Sequence, residues 1–154
     1  AWSNRANVGM MYAKAEADRG LDGRPRAARA AADAGAAIAL APGVADLWTT
    51  RGSTWMVLAE LESLAGLDAR ETIRKSLADQ DEAVSRRPGE GPMLFNRGMA
   101  RWLLAKSETK HGGDPRPSLA TLSRRMGVRI GSHTGMPMMR PSKITLPAPS
   151  IWVS

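Results

Sequence analysis

Apolar side chains recur along the first 120 residues in helical blocks, each closed by glycine, proline or both. Trp2, Ala6, Val8, Met10, Met11 and Ala13 give a broad apolar face to a helix over Ala1–Asp18. Gly20 and Leu21-Asp22-Gly23 end it, and Pro25 suits the first turn of a second, alanine-rich helix over Pro25–Leu40. Gly35 weakens that helix by about 1 kcal/mol relative to alanine, and Pro42-Gly43 stops it. Asp46 is the expected N-cap of a third helix reaching Ala65, with Leu47, Trp48, Trp55, Met56, Leu58 and Leu61 on its apolar side. Gly66 closes it. Asp68 is the expected cap of a fourth helix over Ala69–Arg87, with Glu71 at capping-box distance and Ile73, Leu77 and Val84 as the stripe. A fifth helix opens at Met93-Leu94-Phe95 and runs through Trp102-Leu103-Leu104 to Lys110. After Gly112-Gly113-Asp114-Pro115-Arg116-Pro117, a sixth should start at Ser118-Leu119.

The blocks are copies of one another. Shifting the chain by 46 residues superposes Arg5, Arg51 and Arg97, then Gly20, Gly66 and Gly112, then Asp22, Asp68 and Asp114. Ala6, Gly52 and Gly98 coincide, Pro42-Gly43 falls on Pro88-Gly89, and Trp2 falls on Trp48 with Leu94 as third member. A fixed period without insertions marks an array in which each unit buries its apolar face on the next. The expected fold is all-α, an α-solenoid of antiparallel helix pairs with units at about 1–45, 46–91 and a partial 92–120. The correspondence fails after residue 120: Leu77-Ala78-Asp79 is answered by Ser123-Arg124-Arg125, and no period survives beyond Gly127. Residues 121–154 are expected to be a flexible, disordered basic tail without a domain of their own; a coding frame lost near residue 120 would leave the same pattern. The start at Ala1, inside a repeat, reads as an excerpt from a longer protein.

Charge adds little once it is located. The net charge is +7, but residues 1–117 carry 17 Lys/Arg against 15 Asp/Glu, while residues 118–154 carry five basic residues and no acid. The array is nearly neutral. A solvated basic tail is expected rather than a nucleic-acid arm, because no aromatic residues alternate with the basic ones as a base-stacking platform requires. The chain has no cysteine and two histidines, which argues against thiolate chemistry, disulfides, a cysteine- or histidine-based metal site and a Ser–His–Asp set. No apolar run approaches the roughly 20 residues of a membrane span. No membrane association is expected, and a cytoplasmic location is.

Trp48, Gly52 and Trp55 in a first helix, with Ala83 and Pro88 in and after the second, resemble the tetratricopeptide repeat. Trp2, Ala6, Ala37 and Pro42 echo the pattern, and Leu94 with Gly98 continues it. The family's usual unit is about 34 residues; the surplus here sits at the end of the first helix and in the following turn. Gln80 and Ala34 stand where a large aromatic is common, and Gly9 and Arg101 stand where Trp55 does. The resemblance implies a right-handed superhelix whose first helices line a concave surface. It implies a protein–protein interaction scaffold, not an enzyme, with no cofactor and with a protein or peptide as partner. On that basis the surface is faced by Asn4, Asn7, Met10, Met11, Thr50, Ser53, Met56, Asn96, Met99 and Leu103. The lengthened units are also similar to repeats trailing bacterial serine/threonine kinases, which makes a regulatory segment of a signalling protein the alternative. The family's basic clamp for a terminal carboxylate is not expected, because Ser3, Thr49 and Phe95 stand where lysine would be needed. Exposed ends of so short an array predict self-association.

Four features invite a chemical reading. The ladder Arg5, Arg51, Arg97 could grip a carboxylate or phosphate partner, but pairing with acids of the array such as Asp33 or Asp79 is the favoured expectation. Trp2, Trp48, Trp55 and Trp102 are expected in the core rather than in an aromatic cage. Gly112-Gly113 lacks the lysine and serine of a phosphate loop and matches the turns at Gly20 and Gly66. Asp79, Asp81 and Glu82 are expected on a solvated face, without metal-ligand spacing.

Overall fold

A computed structural model describes residues 1–120; the expected tail over 121–154 lies outside them. The described residues are helical, with no strand. Five helices run in order: α1 (Trp2–Asp18), α2 (Arg24–Leu40), α3 (Ala45–Leu64), α4 (Arg70–Arg86) and α5 (Gly91–Lys110). The chain turns helical again from 116 to 120. These bounds fall within about two residues of those read from the glycine and proline punctuation, the ordinary uncertainty of helix ends.

Each helix packs against the next, and α1, α3 and α5 also touch in series. The α1–α2 pair is antiparallel, since Arg5 meets Asp33 while Glu16 meets Arg26. The same holds for α3 and α4, where Arg51 meets Asp79 and Lys75 lies over Trp55. Because α1 and α3 are equivalent halves of successive pairs, they run in the same direction, and Lys14 reaches Glu60 one full unit away.

The core repeats with the sequence. One cluster joins Ala13, Ala27, Val57, Leu58 and Leu61, with Met10, Ala17 and Trp55 at its edge. One unit further, Ala59, Ile73 and Leu104 fill the places of Ala13, Ala27 and Leu58, with Ala69 added and Leu77 and Leu103 at the edge. A third cluster joins Ala45, Ala83, Val84 and Met93 below Trp48 and Leu94. The abundance of alanine lets the helix axes approach closely.

The turns repeat as well. Gly66 has φ +77°, a left-handed conformation that side chains with a Cβ adopt at a cost, and Gly20 and Gly112 match it. Around it the Gly66 N–H donates to Ser63 O and the Leu67 N–H to Glu62 O, the paired bonds of a Schellman cap. The Asp22, Asp68 and Asp114 carboxylates each accept the backbone N–H two residues on, at 3.0, 3.1 and 3.0 Å. Asp68 is not the cap position of α4, which is Ala69, but one residue before it the carboxylate accepts the Arg70 N–H in an Asx turn; Glu71 makes no reciprocal bond to its amide. Asp46 does not cap α3. The cap position is Val44, and Asp46 sits in the first helical turn, where its carboxylate faces the positive helix end and pairs with Arg87 at 2.8 Å.

Candidate functional site

The arginine ladder is consumed by the array itself. Arg51 donates from Nε and Nη2 to the two Asp79 oxygens at 2.8 and 2.7 Å, and Arg5 makes the same fork on Asp33, with Nε at 2.6 Å. Both pairs are 28 residues apart, so one repeat position serves one structural purpose. The Asp33 carboxyl is held below its usual range by the Arg5 hydrogen bonds, against the opposing effect of burial. In the third unit the same spacing leads to Arg125, which cannot accept. There Arg97 is buried and lies 3.5 Å from Asp81, which also meets Arg101 at 3.3 Å.

The tryptophans form neither a shared cage nor a common core. Trp48 and Trp55 are half-buried, whereas Trp2 and Trp102 are 41% and 47% exposed, contrary to the expectation of core packing. Each lies beneath its own cation: Trp2 under Arg5, Trp48 under Arg51 and Arg86, Trp55 under Lys75, Trp102 under Lys106. Trp48 also donates its indole N–H to Pro42 O at 2.8 Å, and Arg86 donates to the same carbonyl, tying down the α2–α3 turn.

What remains open is a trough of about 820 Å³ over the C-terminal halves of α3 and α5, with α1 at one rim and Ile73 of α4 reaching its floor. α5 packs more loosely on α3 than α1 does. The trough floor holds Met10, Met56 and Trp102, which occupy one repeat position in three successive units, together with Val57, Met99 and Leu103. Lys14, Glu60 and Lys106, again one repeat position, stand along its edge, and Lys110 and His111 close one end. Methionine side chains are long, unbranched and polarisable, so such a floor can adjust to differently shaped apolar groups.

Of the ten residues proposed from the sequence, Met10, Ser53, Met56, Met99 and Leu103 line this trough. Asn4, Asn7, Met11, Thr50 and Asn96 do not. Asn4, Thr50 and Asn96 share a repeat position one helical turn before Asn7, Ser53 and Met99, in the N-terminal halves of their helices. Thr50 turns its hydroxyl back to Asp46 O at 2.9 Å. Met11 is exposed on the far side of α1, at the position that Val57 and Leu103 fill in the later units. Sequence reasoning missed Lys14, Glu60, Trp102, Lys106 and Lys110. The signal was available, because 14, 60 and 106 differ by the repeat period.

Among the described residues no group of His, Asp or Glu side chains could hold a metal ion, and no helix is long and apolar enough to cross a membrane. No family model matches this chain, and neither does a curated protein or a solved structure.

Proposed function

We propose that residues 1–120 form a tetratricopeptide-like α-solenoid whose face made by α1, α3 and α5 binds a peptide or helix of a partner protein. The carrying observation is the methionine-floored trough: an apolar, solvent-open cleft whose floor adds Met56, Met99 and Trp102, side chains outside the core clusters, to core residues such as Val57 and Ile73. A hydrophobic groove on the protein surface is what receives the apolar face of a partner helix or peptide. The ladder arginines Arg5 and Arg51, by contrast, are engaged within the array, and among the described residues no cluster of acidic and histidine side chains suited to a metal ion competes with the trough.

A photo-crosslinking experiment on the whole chain tests this. With Ser53→p-benzoylphenylalanine the crosslinker sits at the trough, and with Ser85→p-benzoylphenylalanine it sits on the exposed side of α4. A native-lysate protein joined to the first variant, absent with the second, and competed away by unlabelled chain but not by its Met56→Glu form is the expected result. Equal labelling at both positions would remove the trough from consideration.

A further inference from the structure

We infer that the trough accepts an amphipathic α-helix with an acidic edge, rather than an extended peptide. This deepens the proposed function and rests on the trough being the binding surface. Two observations carry it.

The first concerns hydrogen bonds. An extended peptide leaves its N–H and C=O groups to be satisfied by the surface that receives it. The walls here are helices, whose backbone groups bond within the helix, and the uncharged hydroxyls available are those of Ser53, Ser63 and Ser107. The side-chain amides that suit an extended backbone, those of Asn4, Asn7 and Asn96, lie outside the trough. A helix brings its own backbone partners and offers apolar groups at i, i+3, i+4 and i+7 to a floor of Met10, Met56, Met99 and Trp102.

The second concerns charge. Lys14, Lys106 and Lys110 face one carboxylate, Glu60, which lies 3.5 Å from Lys14. Lys106 and Lys110 have no carboxylate within ion-pair distance among the described residues, and the Lys106 ammonium rests over Trp102 at 5.2 Å. The α5 side of the trough is therefore cationic over about one helical turn, beside the Trp102 ring. An acidic residue on the edge of a docked helix would meet both lysines as its apolar stripe covers the ring. Such complementarity sets orientation and partner choice more than total affinity.

The test uses the full chain and two fluorescein-labelled peptides of about 18 residues, roughly 27 Å as helices. Both carry the same leucine stripe; one has glutamate along its edges and the other lysine. Fluorescence anisotropy should show the glutamate peptide binding about tenfold tighter or more, with the preference shrinking as salt is raised from about 50 to 500 mM. The double variant Lys106→Glu/Lys110→Glu alters two exposed side chains, so it should retain its helical circular dichroism and invert the preference. If both peptides bind equally and the double variant changes nothing, the charge inference falls while the trough stands. Should neither peptide bind, the trough reading falls with it. A glutamate peptide that binds without gaining helicity would overturn the helical occupant alone.

Discussion

Gln80 is wholly buried on α4, and neither its Oε1 nor its Nε2 has a hydrogen-bond partner among the described residues. Its amide lies against Gly52, where an added Cβ would stand 2.6 Å from Nε2. The glycine leaves room both for this side chain and for the Ser76 hydroxyl, which donates to Gly52 O at 2.7 Å. A buried amide without partners costs roughly 1–3 kcal/mol, and methionine has similar length and flexibility. Gln80→Met is accordingly expected to raise stability by about 1 kcal/mol, read as a higher urea midpoint at unchanged m-value. A lower midpoint would show that the amide is satisfied in solution. Position 80 was legible as a departure from the tetratricopeptide pattern, but its burial was not. That depends on Gly52, a residue 28 positions away whose lack of a side chain admits the amide.

At the scale of the element, the turn between paired helices is the most faithfully repeated feature, and it contains a pH dependence. In each copy an arginine two residues after the aspartate folds back on it, with Arg24, Arg70 and Arg116 meeting Asp22, Asp68 and Asp114. These hydrogen bonds, with those from the backbone N–H groups, hold all three carboxyls below their ordinary range. A carboxyl whose pKa is lower in the folded state binds protons preferentially when unfolded. Its contribution is present above the unfolded value of about 3.9 and is lost as pH falls through the folded value. Thermal midpoints are therefore expected to be flat from neutral pH to about pH 5 and to fall below about pH 4. Asp68→Asn keeps an acceptor for the Arg70 N–H but loses the charge. It should melt lower than the parent at neutral pH, and the two curves should converge in acid. Parallel curves would mean that the turn pairs contribute nothing, the usual lot of exposed ion pairs. The Asp-x-Arg turns were partly legible because glycine and aspartate chemistry is local. Asp46 was misjudged for the opposite reason. The α2–α3 turn is shaped by Trp48 and Arg86 closing on the Pro42 carbonyl, and that long-range grip starts the helix one residue before the aspartate.

Across the whole molecule, the same repeat position has different energetics according to whether another unit covers it. Tyr12, Leu58 and Leu104 are equivalent by sequence, yet Tyr12 is 59% exposed while the two leucines are 8% and 6% exposed. Val8 and Met11 stand out in the same way against Thr54 and Val57. Periodicity identified the family of positions, but it could not say which copy is left uncovered among the described residues, because exposure belongs to the assembly and not to the residue. Met10, Met56 and Trp102 share a position, but α5 packs more loosely on α3 than α1 does; the cleft lies over the C-terminal halves of α3 and α5, and Asn4, Asn7 and Met11 fall outside it. This dependence on neighbours can be measured. Leu58→Ala removes a side chain from the cluster joining α1, α2 and α3 and is expected to cost about 2–5 kcal/mol. Tyr12→Ala, at the equivalent site of the first unit, should stay within about 0.5 kcal/mol of the parent. Urea unfolding of both variants, followed by circular dichroism, decides the matter. In a stack stabilised by interfaces between units, the same substitution at one repeat position acquires its cost from the helix packed over it. If Tyr12→Ala cost as much as Leu58→Ala, the outer face of α1 would be covered in solution, and the described stack would continue beyond its first helix.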